Sequence, residues 1–286
     1  MIGVFDSGIG GLTVLRALTR RFPHVPFVYL GDHANVPYGN RSSAEIVELT
    51  RAGVEHLFDA GARLVVLGCN TATAVAARTL QRDWLPTTQW QGRNVLGIVA
   101  PTVEAATQTP WAISVPQYPQ KLNTDVIAVF GTFRTISSGV FAEEIRKRCP
   151  KVTVLGQVCA ELAGAIEDEA GDDVLDALVA RGVAEVIAAN AGQPPHRAIL
   201  GCTHFPIVEH VFRRHLPPAT RLLSQPEIVA DSLEDYLARR PQFLEGAGAA
   251  GVTLLTTGDA AQAGRVARVF WSDAPAFVFE PSFRRG

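Results

Sequence analysis

Short runs of aliphatic residues alternate along the chain with longer stretches of helical period, and most runs end in Gly, Asp, Ser or Thr. An unbroken apolar run of four to six residues is the pattern of a strand buried on both faces. Its repetition between helical stretches predicts βα units, an α/β fold with mostly parallel sheets. The predicted strands cover 2–5, 27–30, 64–67, 95–99, 126–130, 152–155, 198–200 and 253–256, with helices near 11–22, 42–59, 72–82, 102–107, 136–148, 172–190, 205–215, 226–239 and 259–270. The stretches "DWLPTTQWQGRN" (83–94) and "TQTPWAISVPQYPQKLNTD" (107–125) show no clear period and read as inserted loops or domain edges. "EDEAGDDVLD" (167–176) reads as a solvated helix start near 171–173, where carboxylates suit the helix dipole. The closing "APAFVFEPSFRRG" leaves room for an edge strand.

A chain of 286 residues is long enough for two α/β domains, or one large one, without staples. Its four cysteines, at 69, 149, 159 and 202, form neither a C-x-x-C pair nor a zinc-type spacing. The opening "MIGVFDSGIGG" has no basic n-region, and no stretch reaches the roughly eighteen apolar residues of a membrane span. A cytoplasmic protein with reduced thiols and no metal is the expectation. With 26 basic against 28 acidic residues, neither nucleic acid nor a membrane surface is expected as a partner.

Three predicted strand exits carry polar or reactive residues: "GVFDSGIGGL", "VVLGCNTAT" and "AILGCTHFP". In parallel sheets such exits face helix N-termini and are where ligands bind. One cysteine in an apolar strand is ordinarily an inert core residue. Cys69 and Cys202, however, share one setting: apolar strand, Leu-Gly-Cys, polar residue, helix. A helix N-terminus would draw each thiol pKa from about 8.5 toward neutrality. Cys149 and Cys159 lack that setting and read as structural. Paired thiols at matching corners suit a reaction whose two directions mirror each other, one thiolate removing an α-proton while the opposite thiol delivers one. No lysine adjoins the three corners, so a Schiff-base cofactor has no anchor there and none is expected. "DSGIGG" misses both the P-loop and the G-x-G-x-x-G spacing. Taken singly, Asp6 is a helix cap, His204 a solvent-facing residue, Tyr38 a packing residue, and Pro37 and Gly39 a plain turn.

Six ordered motifs, "GVFDSGIGGLTVLRAL", "VYLGDHANVPYGNRS", "VVLGCNTATAVA", "VFGTFRTISSGVFAEEI", "LGCTHFPIVEHVF" and "LLTTGDAAQAGRVARVF", together resemble the aspartate/glutamate racemase superfamily. The "CTH" at the second corner is similar to the glutamate racemases within it. The resemblance implies two pseudo-symmetric α/β domains, 1–98 plus 209–286 and 99–208, with the site in the cleft between them. It implies cofactor-independent interconversion of L- and D-glutamate, supplying D-glutamate for peptidoglycan, by a cytoplasmic homodimer. Cys69 would deprotonate the D-enantiomer and Cys202 the L-enantiomer. Asp6 would assist the Cys69 side and His204 would assist Cys202. Asn70, Thr71 and Thr203 would hold the α-carboxylate and ammonium, and Ser7 with the backbone of Tyr38 and Gly39 the side-chain carboxylate; Pro37, Thr132 and Thr135 join the binding set. The 83–94 and 107–125 stretches are longer than that family's usual connections. If either folds over the cleft, product release or the subunit interface would change. A racemase of aspartate or another acidic amino acid, or an inactive amino-acid-binding protein on the same fold, are the alternatives.

Overall fold

The computed structural model describes residues 1–113, 115–246 and 248–281. Strands β1 (Ile2–Asp6), β2 (Pro26–Gly31), β3 (Leu64–Leu67), β4 (Asn94–Gly97), β9 (Gly251–Thr256) and β10 (Phe277–Phe279) form one sheet in the order β10-β9-β2-β1-β3-β4. Strands β5 (Val126–Gly131), β6 (Thr153–Val158), β7 (Arg197–Gly201) and β8 (Arg221–Leu223) form a second, ordered β6-β5-β7-β8. Every neighbouring pair is parallel, as the α/β reading expects.

Side chains alternate between the two faces of a strand, and the core follows that alternation. Ile2, Val4, Leu64 and Val66 share one apolar core with Ala128, Phe130, Ala198 and Leu200 of the second sheet. Their alternates Phe5, Val65 and Leu67 pack with Val54, Leu57 and Phe58 of α2 (Ser43–Asp59). In the second sheet Ile127, Val129 and Ile199 pack with α4 (Val99–Thr107) and α6 (Val140–Arg148). Both faces of each sheet are therefore covered, which is why the strands read as unbroken apolar runs.

The helices start where capping chemistry allows. Ser42 and Glu45 form a capping box ahead of α2, and the Asp259 carboxylate caps α11 (Ala260–Phe270). The helix foreseen over 136–148 is two, α5 (Phe133–Ser137) and α6, parted by Gly139 at φ 70°, a left-handed value that glycine adopts without penalty. The one foreseen over 205–215 is a 3-10 turn, Phe205–Val208, followed by α9 (Glu209–His215). Helix α7 (Leu162–Glu167) and strand β8 were not foreseen; both are too short to display a period. Because β8 pairs with β7, the second sheet runs on through Leu223, so the return of the chain to the first sheet comes later than 209. The acidic run does open α8 (Asp172–Ala189), with Asp172 and Asp173 in its first turn.

The 83–94 stretch packs on the helix layer of the first sheet, with Trp84 stacked on Phe58 at 6.4 Å and Trp90 5.7 Å from the same ring. The 107–125 stretch, whose residue 114 lies outside the described residues, meets α4 and α6: Glu104 accepts from the Trp111 N–H and Arg148 donates to the Trp111 carbonyl. The edge strand foreseen near the end is β10; residues 282–286 lie outside the described residues. Among the described residues no helix is long and apolar enough to cross a membrane.

Candidate active site

The carboxyl ends of parallel strands carry a first group of polar and reactive residues. Asp6 closes β1, Asp32 follows β2, Cys69 follows β3 by two positions, Thr132 follows β5 and Cys202 follows β7. All four cysteines are free and buried.

At the first corner Cys69 is the N-cap of α3 (Asn70–Thr79), its Sγ accepting from the Ala72 N–H at 3.4 Å. The Ser7 hydroxyl lies 3.3 Å from the same sulfur. Asp6 does not cap a helix: its Oδ1 accepts from the Gly8 N–H at 2.6 Å and pins the turn, while its Oδ2 is buried without a hydrogen-bond partner. Gly11 admits that carboxylate, since a Cβ there would stand 2.9 Å from Oδ2. Burial lifts the Asp6 carboxyl to about 6, against the Gly8 N–H and the charge of His204, which pull it down. Burial likewise pushes the Cys69 thiol up to about 12, and the nearby Asp6 charge adds to it. The expected lowering of this thiol is thus reversed. A helix terminus contributes only about 0.3–1 kcal/mol at an exposed site, less than the desolvation of a buried thiolate.

The second corner is built differently. Cys202 precedes the single 3-10 turn Phe205–Val208 rather than an α-helix. Its Sγ lies 3.7 Å from His204 Nδ1, and His204 Nε2 lies 2.6 Å from Glu167 Oε1. Burial alone would lower the imidazole pKa, but the hydrogen bonds to Cys202 and Glu167 outweigh it and raise it to about 10. Glu167 is correspondingly held below the usual carboxylate range, its pairing with His204 overcoming its burial.

The glycine-rich turn joins the corners. A Cβ on Gly10 would run into the His204 ring and the Thr203 hydroxyl, and the Thr13 hydroxyl of α1 (Leu12–Arg21) lies 2.9 Å from the carbonyls of both Gly10 and Thr203. Ser7 at one end of this turn touches Cys69, and Gly10 at the other abuts His204. The structure therefore gathers Asp6, Ser7, Cys69, Cys202, Thr203 and His204 around six consecutive residues of backbone.

A threonine cluster stands beside them: Thr71 Oγ1 lies 3.1 Å from Thr132 Oγ1 and 3.3 Å from Thr135 Oγ1. Gly39 adjoins it, as a Cβ there would come within 4.0 Å of Thr132 Cβ. Pro37 is exposed, and Tyr38 is buried with its hydroxyl donating to Asp32 at 2.7 Å. Asn70 is placed apart from the threonines. Its amide pairs reciprocally with Gln225 of α10 (Gln225–Ala238), at 2.6 and 3.0 Å, and Gln225 also donates to Thr102.

Sequence reasoning missed Glu167, Asp32, Gln225 and Thr13. Asp32 carried a usable signal, a carboxylate at the exit of β2, one residue beyond the strand. Glu167 did not, because it opens an acidic run that reads as solvent-facing and reaches His204 only through the fold.

The sequence profile of the Asp/Glu/hydantoin racemases matches residues 10–232. The chain belongs to the Asp/Glu/hydantoin racemase family. It is similar to the glutamate racemase of Phenylobacterium zucineum, 48% identical over 98% of this chain and 99% of that one. The glutamate racemase of a Caulobacter species is 48% identical over 94% and 96%. Among solved structures, a glutamate racemase isoform from Bacillus anthracis superposes with a TM-score of 0.83 at 25% identity, covering 99% of this chain and 97% of that one.

Within this racemase-family site the His204–Glu167 pair makes a pH-dependent prediction. A histidine raised in the fold contributes stability that is complete below its unfolded pKa near 6.5 and is lost as pH rises through about 10. Glu167→Gln removes the charge that holds the proton. Its deficit in melting temperature against the parent chain is expected to be largest between about pH 5 and 6.5 and to shrink steadily toward pH 10. Thermal melts across that range check this, and a deficit independent of pH would contradict it.

Proposed function

We propose that this racemase-family chain interconverts L- and D-glutamate by two-base proton transfer without a cofactor. The observation that carries the reading is the pair of Leu-Gly-Cys strand exits brought to opposite ends of one glycine-rich turn. The substrate class comes from the relatives of about half-identical sequence, which are glutamate racemases.

In this reading Cys69 takes the α-proton of the D-enantiomer and Cys202 that of the L-enantiomer, and in each case the other thiol delivers a proton to the opposite face of the α-carbon. The two have unlike surroundings. Cys202 has in His204 a partner that takes or gives a proton at 3.7 Å. Cys69 has a hydroxyl, an N–H and the Asp6 carboxylate, and stays a thiol until positive charge arrives. The α-ammonium of a bound amino acid supplies that charge and suits the unpartnered Asp6 Oδ2. Thr71, Thr132, Thr135 and Thr203 offer hydroxyls to the α-carboxylate, and Ser7 with the Gly39 backbone suits the side-chain carboxylate. Asn70 serves through its backbone and by fixing the start of α3, since its amide is engaged by Gln225.

The cleft lies between two domains, 1–98 with the chain after Leu223, and 99–223. The protein works as a cytoplasmic homodimer that feeds D-glutamate to peptidoglycan synthesis. Circular dichroism of purified protein with L-glutamate, D-glutamate, L-aspartate and D-aspartate tests the substrate. Loss of ellipticity with both glutamate enantiomers and neither aspartate is expected. Turnover of aspartate alone would favour the broader acidic-amino-acid reading, and no turnover at all would reduce the chain to a binding protein.

A further inference from the structure

We infer that Gln225 is a positioning residue for Cys69, locking the first turn of α3 to the two points where the chain crosses between its sheets. Resting on the two-cysteine reading above, this role adds a residue that acts on the thiol only through its neighbour Asn70. The chain leaves the first sheet after β4, through α4, and returns from the second after β8, through α10. Ile98 is the N-cap of α4 and Gln225 the first residue of α10. Both reach the first turn of α3, whose N-cap is Cys69.

At the return crossing, Gln225 is fully buried and meets Asn70 amide to amide. Gln225 Nε2 donates to Asn70 Oδ1 at 3.0 Å, and Asn70 Nδ2 donates to Gln225 Oε1 at 2.6 Å. Gln225 Nε2 also donates to Thr102 Oγ1 at 2.9 Å. Thr102 gives its own proton to the Ile98 carbonyl at 2.7 Å, so it accepts from Gln225, and this fixes which way the Gln225 amide points. At the outward crossing, the Ile98 N–H reaches Thr73 Oγ1 at 3.4 Å, while the Thr73 hydroxyl donates to the Leu67 carbonyl at the end of β3. Gly97 leaves room for this, since a Cβ there would run into Thr73. Asn70 and Thr73, three residues apart, lie on one face of α3. One buried network thus ties that face to both crossings.

An apolar pair of the same shape would hold the elements together about as well, so cohesion alone does not call for these amides. What a satisfied reciprocal pair adds is a single defined geometry. The residue so held directly follows Cys69, and the Cys69 carbonyl accepts from the Thr73 N–H at 2.9 Å. The approach of this thiol to an α-carbon therefore depends on Gln225. The Cys202 corner, built on Gly10, Thr13, Glu167 and His204, shares none of these residues. Loss of Gln225 should accordingly injure one of the two proton transfers and spare the other.

Deuterium isotope effects on kcat/KM of the full chain separate this from general weakening. Two mirror-image substrates have equal free energy, so any lesion lowers kcat/KM alike in both directions, but the isotope effects need not stay alike. With the two transfers in sequence, α-deuterated D-glutamate reports abstraction by Cys69 and α-deuterated L-glutamate abstraction by Cys202. A displaced Cys69 slows its own transfer, so the D-side effect grows. The L-side effect shrinks, because there Cys69 acts only in the later, unlabelled step. In Gln225→Met, similar in length and without the hydrogen bonds, kcat/KM is expected to fall about tenfold, with the ratio of D-side to L-side effects above that of the parent chain. Thr102→Val removes one bond and leaves the amide pair; it carries the test if Gln225→Met does not fold, with a smaller shift of the same sign. Thr102→Ser keeps the hydroxyl and should match the parent. Gly10→Ala, which disturbs the Cys202 corner, should move the ratio the opposite way. An unchanged ratio in Gln225→Met and Thr102→Val would overturn the positioning role and leave the two-cysteine reading standing. A parent chain without racemase turnover would instead overturn that reading, and the role with it.

Discussion

Cys69→Ala and Cys202→Ala are each expected to remove racemisation in both directions, with turnover falling by about 10²–10⁴-fold or below detection. In the proposed two-base reading each direction needs one thiol to take a proton and the other to give one, so neither loss is confined to one enantiomer. Cys69 and Cys202 are 5% and 6% exposed and belong to the apolar clusters beneath the strand ends, and Cys→Ala removes a single sulfur atom from each. The fold should therefore persist, with melting temperatures within a few degrees of the parent chain. Cys149→Ala and Cys159→Ala are the matched controls and should keep most of the turnover; Cys159, lifted to about 12 chiefly by burial and then by the charge of Cys202, is poorly suited to proton transfer. Polarimetry on all four variants, started from either enantiomer, checks this. Survival of turnover in Cys69→Ala or Cys202→Ala would remove the basis for the two-base reading.

The second large effect is expected at a residue with no chemistry of its own. In Gly10→Ala the new methyl would occupy the volume of the His204 ring and the Thr203 hydroxyl, and both would have to shift. His204 is anchored by Glu167 at 2.6 Å and packed edge-on against Phe270 at 5.1 Å, so a displaced ring loses its approach to Cys202. Displacement of a catalytic group by about 1 Å costs on the order of 100-fold, and a loss of that size in kcat is expected with far-ultraviolet circular dichroism unchanged. Gly264→Ala is the contrast: it lies within α11, has no atom within 4 Å of its added Cβ, and should leave turnover intact. Equal activity in the two variants would show that the turn does not set the position of His204.

What the sequence made legible follows from how far each signal reaches. Strands β1, β3, β5 and β7 announce themselves because each is apolar on both faces, and a sheet covered by helices on both sides demands that composition. Cys69, Cys202, Asp6 and His204 were legible because strand exits are local features, readable within about five residues. Glu167 was not, because the contact that matters spans 37 positions and its neighbours in sequence are solvated acids. Gln225 was hidden for a similar reason, pairing with Asn70 across 155 positions. The protonation of Cys69 failed in another way. Its helix N-terminus was read correctly, but burial outweighs the dipole, and burial is a property of the whole fold.

Incubating the purified protein with L-glutamate or D-glutamate in deuterated water, with no cofactor added, and following the α-hydrogen by NMR and mass spectrometry addresses the paired thiols most directly. One deuterium is expected at the α-carbon of each molecule that inverts, in both directions, with inversion lost in Cys69→Ala and Cys202→Ala. Inversion without deuterium uptake, or no exchange from either enantiomer by the intact chain, would contradict it.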